Sequence, residues 1–298
     1  MIAHWDEVEG QLLETGPMRL IRLDLGEAIG SDRIGVALLK VQPGGRSSPV
    51  HCELAEEEIF YVLRGSGLLW QDDGSGPATC EVAPGDCIVH VAEEQFHTLI
   101  AAGDGLDVLA FGQRVWATAT WLPRAGVVRM AATVDVSTGP HPWEREAAAG
   151  ELELPAPGPR PKNVVALADA PAILEGAVRI LGATGGSVRT GLNTFTQKPG
   201  APYVPHCHSA EEEIFVVLEG SGTFHAGAEA HDIRAGHAIS RPPGTGIPHR
   251  FTAGPDGMTH LAYGTREPSD IVYYPEAGEI VIRGVGVSLK TGDAGVTT

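Results

Sequence analysis

Cysteine is scarce in this chain of 298 residues: Cys52, Cys80, Cys87 and Cys207 are the only four. That is too few for a disulfide scaffold of this size, so reduced, unlinked thiols are expected, as in a cytoplasmic protein. Positive charge is scarce too, with 21 Lys and Arg against 38 Asp and Glu and a net charge of −17. Such a surface repels phosphate backbones and anionic lipid within a Debye length, which argues against a nucleic-acid or membrane partner. No apolar run approaches the roughly 18 residues of a membrane span. The opening segment MIAHWDEVEG is acidic and has no basic stretch leading into an apolar one, so no secretory signal is expected. Helical periodicity is weak. Ala166–Leu174 reads as helical, and Trp143–Ala149 reads as a short helix.

Glycine and proline are abundant, at 39 and 22 residues, and 43% of the chain is apolar. That composition supports folded cores broken by many turns, hence many short strands. The length suggests about two domains, and an internal repeat supports that number. Residues 51–67, HCELAEEEIFYVLRGSG, match residues 206–222, HCHSAEEEIFVVLEGSG, at thirteen of 17 positions with an offset of 155. Flanking segments follow: Ile34–Gly44 parallels Thr190–Gly200, FGQR at 111–114 parallels YGTR at 263–266, and LPRAG at 122–126 parallels YPEAG at 274–278. Between the copies lies a proline-rich stretch, PAPGPRP at 155–161, which reads as a semi-rigid linker. The expected division is a first domain over 1–140, a linker over 141–162 and a second domain over 163–298. Both copies read as short β-branched and aromatic strands punctuated by Gly, Pro and Asp, so the expected class is all-β, with two barrels or jelly rolls and a few short helices. The two GSG segments read as turns between strands. They lack the following helix that phosphate binding needs.

The chemistry concentrates at one spacing. In the second copy Gly200 is followed by His206, His208, Glu213 and Gly220, and His249 follows the turn RPPGTGIPH. With a strand period of two, His206 and His208 share a face. A short turn through Ser209–Glu212 would return Glu213 beside them, and His249 would arrive from a distant strand. Three imidazoles and a carboxylate around one point suit a divalent transition metal: Fe, Mn, Ni, Co or Zn. No Ser-His-Asp or Cys-His arrangement stands out, and no further catalytic residue is assigned.

The spacing G-x5-H-x-H-x4-E-x6-G with a later Pro/Gly-rich turn ending in His resembles the two motifs of the cupin superfamily, and its presence in both copies makes the chain similar to bicupins. The resemblance implies two tandem barrels of the double-stranded β-helix type, with His206, His208, Glu213 and His249 as metal ligands in the second. The first copy departs from the pattern. His51, Glu58 and His97 match, but Glu53 stands where the second His would be, and the Pro/Gly turn before His97 is missing. His51, Glu53, Glu58 and His97 would suit a harder ion, or hold none. Among bicupins a site of three His and one Glu often implies dioxygenase chemistry on a small molecule. Isomerisation, decarboxylation or hydrolysis of a sugar or small acid, and binding without turnover, are the alternatives. Pairing of chains into a homodimer is left open. The extra carboxylates of the AEEE runs, Glu56, Glu57, Glu211 and Glu212, read as solvated turn residues. Cys52 and Cys207 read as small buried hydrophobes, and Phe195, Tyr203 and Phe215 as candidates for the pocket wall.

Overall fold

A computed structural model describes residues 1–115, 117–130, 139–201 and 204–291. The period-two pattern of the repeated segment decides the architecture. In EIFYV, Ile59 and Tyr61 point one way and Phe60 and Val62 the other; Ile214 and Val216, and Phe215 and Val217, do the same in the second copy. All eight are buried. One set fills each barrel: Phe60 and Val62 pack with Leu69, Leu99 and Val108, and Phe215 and Val217 with Phe224, Phe251 and Met258. The other set joins the barrels, because Ile59, Tyr61 and Phe111 pack in one cluster with Ile214, Val216 and Tyr263. The strands are apolar on both faces because both faces are covered.

Each copy forms an eight-stranded antiparallel sheet with the same strand order. In the first barrel Glu58–Asp72 lies at the centre between Asp86–His90 and Phe96–Gln113, followed outward by Ile34–Val41, Met18–Asp24 and Gln11–Thr15. In the second, Glu213–Ala226 lies between His237–Arg241 and His249–Thr265, followed by Thr190–Gln197, Val178–Ile180 and Ala172–Ile173. The last strand of each sheet comes from the other half of the chain. Ile2–His4 pairs with His237–Arg241 of the second barrel, and Val164–Ala166 pairs with Asp86–His90 of the first. This exchange covers both edges, which would otherwise offer unpaired backbone groups.

Several local expectations change. The GSG segments are not turns: each sits inside one long strand, at a register shift that bends it. Gly65 and Gly220 have φ of 81° and 74°, and a Cβ on either would meet the carbonyl oxygen of Gly105 or Gly257. Only glycine fits such a bend. Ala166–Leu174 is not helical; it leaves the strand Val164–Ala166 through a turn and enters Ala172–Ile173, because pairing with the first barrel's edge outweighs local propensity. The helix Pro142–Ala148 does form, capped by His141. Its buried Glu146 receives Arg46 at 2.8 Å and Arg124 at 2.9 Å. The proline-rich stretch then lies along the first barrel, where Trp70 Nε1 donates to Glu153 O and Thr79 Oγ1 to Pro155 O. Glu57, Glu211 and Glu212 are not solvated: all three are buried, and Glu57 and Glu212 are held at the barrel junction by hydrogen bonds to the opposite copy. The four cysteines are free and buried. Among the described residues no helix is long and apolar enough to cross a membrane.

Candidate metal centre

The second barrel brings His206, His208, Glu213 and His249 together. His206 and His249 form a two-way backbone bridge, each N–H donating to the other's carbonyl, at 3.2 and 2.8 Å. His208 belongs to the short strand Cys207–His208, paired with Ile271–Tyr274. Glu213 opens the central strand. The Pro/Gly-rich turn before His249 uses Gly244 and Gly246 at positive φ, 70° and 64°, which explains why that turn is built from glycine. Three imidazole nitrogens face one carboxylate oxygen. Glu213 Oε2 lies 3.2 Å from His249 Nε2, 3.5 Å from His208 Nε2 and 3.9 Å from His206 Nε2.

These atoms fit a metal ion. His208 Nε2, His249 Nε2 and Glu213 Oε2 are buried without a hydrogen-bond partner among the described residues. Three orphaned polar atoms converging on one point would be costly unless something satisfies them. The other ring nitrogens are used to aim the imidazoles. His208 Nδ1 lies 2.7 Å from Asp270 Oδ2, and His206 Nδ1 lies 3.1 Å from Val204 O. Each acceptor receives a hydrogen bond from Nδ1–H, which leaves an Nε2 lone pair directed inward. Asp270 is fully buried, and its other oxygen accepts from Ala210 N at 2.8 Å and Glu211 N at 3.2 Å. One carboxylate therefore aims His208 and shapes the turn that returns Glu213.

Electrostatics agree with ligand duty at Glu213 and His206. Burial disfavours charge on Glu213, but the facing imidazoles outweigh it and hold its carboxyl down at about 2. Burial, helped by His249, pushes His206 down to about 4, so it is a neutral donor at pH 7. Burial opposes charge on His208 as well, yet its bond to Asp270 and the nearby carboxylates move it upward.

The first barrel assembles His51, Glu58 and His97 in the matching place, with a different internal balance. Glu58 Oε2 lies 3.1 Å from His97 Nε2 and 3.3 Å from His51 Nε2, while Glu53 Oε1 lies 4.0 Å from His51. Both Glu53 oxygens accept from Thr120 Oγ1, at 3.0 and 2.9 Å. None of these ligand atoms is left buried and unpartnered. Burial opposes charge on His51, but Glu58 outweighs it and raises His51 to about 9. Burial and the Glu58 charge push Glu53 up to about 7. The cluster neutralises itself. In place of the missing Pro/Gly turn, Glu93 adopts a positive φ of 66°, an uncommon conformation for a residue with a side chain.

Two residues of the second site were not legible from the motif alone. Asp270 matches Thr118, and Val272 matches Thr120, when the copies are aligned on FGQR and YGTR. The exchange is coherent: His208 needs an acceptor and has Asp270, whereas Glu53 needs a donor and has Thr120. Arg241 matches His90, since Glu213 pairs with Arg241 and Glu58 with His90 across equivalent strands. His90 is buried and stacks on His97 at 3.7 Å between ring centroids. Of the aromatic candidates, Phe215 packs against His249 and Phe195 stacks on His260 deeper in the barrel; Tyr203 lies outside the described residues.

The family model described as Cupin domain matches residues 37–111 and 193–261, one match in each barrel. No curated protein sequence matches the chain. Among solved structures it is similar to an oxalate decarboxylase studied for its substrate binding mode and a reaction-specificity switch, at 17% identity over 91% of this chain and 78% of that one, with a TM-score of 0.62. It is also similar to Bacillus subtilis oxalate decarboxylase studied for its Mn(II) centres, at 16% identity, 91% and 78% coverage and a TM-score of 0.61. The same enzyme at pH 4.6 aligns at 16% identity, 88% and 75% coverage and a TM-score of 0.60. At such identity the likeness is one of fold.

Proposed function

The chain is a bicupin, a two-barrel member of the cupin superfamily, and on that premise we propose that it is a metal-dependent enzyme whose second barrel cleaves a carbon–carbon bond of a small acid. The carrying observation is the set of orphaned, convergent atoms on His208, Glu213 and His249, completed by His206. Those four residues would hold one divalent transition metal. When bound, the metal supplies Lewis-acid polarisation of a substrate oxygen. The protein's own residues do the rest. Asp270 and Val204 O hold the Nδ1 protons so that His208 and His206 present lone pairs, and Glu213 stays ionised. The buried barrel wall of Phe215, Phe224 and Phe251 excludes water from below. The first barrel, with its self-satisfied cluster, binds metal weakly or not at all and serves as a structural partner.

Decarboxylation is favoured by the fold likeness to oxalate decarboxylases, one of which is described by its Mn(II) centres. Dioxygenation, the expectation from the motif, would use the same four ligands. The test is to purify the chain without added metal, measure its metal content, and assay a panel of small acids for CO2 release and for O2 uptake. Carbon dioxide release without net oxygen consumption supports the proposal. Stoichiometric oxygen uptake would replace it with the dioxygenase reading, and turnover in neither assay would leave a binding protein. We further propose a reducing, cytoplasmic setting, which the four free, buried cysteines support.

A further inference from the structure

Beside the ligands lies a small recess walled by His208, Glu213, His249, Arg241, Pro242 and Thr245. Arg241 is its one cationic side chain. It sits directly opposite Glu213 across adjacent antiparallel strands, which puts the two Cβ atoms about 5 Å apart on one face of the sheet. The guanidinium is half-buried, yet no carboxylate among the described residues forms an ion pair with it. Its Nη2 is spent on the turn before His249, donating to Ile247 O at 2.8 Å and Thr245 Oγ1 at 3.4 Å. Its Nε is buried with no partner among the described residues.

A partly desolvated guanidinium with an idle donor is costly unless an anion completes it. The two carboxylates of the recess are otherwise engaged: Glu213 is directed at three imidazoles, and Glu211 pairs with Arg283 at 2.9 Å. The other copy sharpens the point. At the same register the first barrel carries His90, buried and stacked on His97, and that barrel's ligands satisfy each other. The cation appears only in the barrel whose ligand atoms are left open.

We infer that Arg241 is the substrate-anchoring residue of the second barrel: it binds a carboxylate of a small acid whose other oxygens reach the metal position, and so selects bifunctional acids over neutral chelators. This rests on the metal-site reading above. The cationic charge and the idle Nε–H donor match a carboxylate, and holding the substrate at two ends fixes which of its bonds faces the ligands.

The test uses malonate as the anionic probe and malonamide, its neutral counterpart, on the full chain. Metal content is measured first, then binding by calorimetry, for the wild type, Arg241→Gln and Arg241→Lys. The wild type should bind malonate well above malonamide. Arg241→Gln should keep its metal and lose malonate affinity by roughly 10- to 100-fold, with little change for malonamide. Arg241→Lys keeps the charge but not the idle Nε donor, and should fall between. Should Arg241→Gln fail to fold or lose metal, Arg241→Lys decides: a severalfold loss supports the inference and unchanged affinity overturns it. Failure of the metal reading is separately visible as wild-type protein without metal. In that case malonate binding that still depends on Arg241 supports the anchor, and absence of malonate binding overturns it. Equal malonate affinity in wild type and a metal-retaining Arg241→Gln also overturns it.

Discussion

Glu57 and Glu212 stand at the same place in the two repeats, and each is a buried acceptor for the backbone of the other barrel. Glu212 takes Asp32 N at 3.0 Å, Arg33 N at 2.6 Å and Ile34 N at 3.3 Å. Glu57 takes Val188 N at 2.8 Å, Arg189 N at 2.9 Å and Thr190 N at 3.0 Å, with hydroxyls from Ser187 and Thr190. The arginines complete the symmetry, with Arg33 donating to Ala210 O and Arg189 to Ala55 O. The residues just before Glu58 and Glu213 are thus a reciprocal clamp between barrels.

The clamp predicts coupled stability. Glu212→Ala or Glu57→Ala leaves several buried donors without an acceptor, and each should cost about 3 kcal/mol or more. Chemical denaturation followed by circular dichroism measures this. A loss under about 1 kcal/mol for both would mean that solvent replaces the carboxylate freely.

The two metal positions should behave unequally. His206→Ala or His249→Ala should remove most bound metal and any activity, while His51→Ala should leave the second-barrel metal in place. Mass-spectrometric metal analysis should find near one equivalent per chain. Two tight equivalents, or loss of metal only with His51→Ala, would contradict the asymmetry.

Asp270 should matter for affinity although it is not a ligand. Asp270→Asn keeps the shape but no longer fixes the His208 proton, and metal affinity should fall about 10- to 100-fold. Competition with a chromophoric chelator reads the change. Unaltered affinity would show that His208 is aimed by packing alone.

Acid should destabilise the fold through His260. This side chain is buried between Phe195 and Phe251, and burial holds its pKa down at about 3. The unfolded chain takes up that proton near 6.5. Its contribution is therefore complete above pH 6.5 and is lost as the pH falls toward 3, by about 2 kcal/mol at pH 5. His260→Phe should flatten stability against pH in that window, measured by denaturation at pH 7 and pH 5. An unchanged slope would rule His260 out as the source.

Thiol titration in denaturant without reductant should return all four cysteines. Native protein should react slowly, because every one is buried. A count of two would require a disulfide that the structure does not have.

The repeat, the all-β class and His206, His208 and Glu213 were legible in the chain itself because each depends on local spacing, and the Pro/Gly-rich turn of the resembling motif marked His249. A period of two puts His206 and His208 on one face, glycines mark turns and bends, and identical segments fold alike. What the chain did not disclose depends on partners distant in sequence. Asp270 lies 62 residues from the imidazole it aims. Arg241 faces Glu213 only because two strands pair in that register. Ile2–His4 and Val164–Ala166 each complete the opposite barrel, since an unpaired sheet edge takes whichever strand the fold brings to it. Glu57 and Glu212 read locally as charged turn residues; burial against the other barrel's backbone made them a junction. Local pattern determined which residues face inward, and tertiary pairing decided what they meet there.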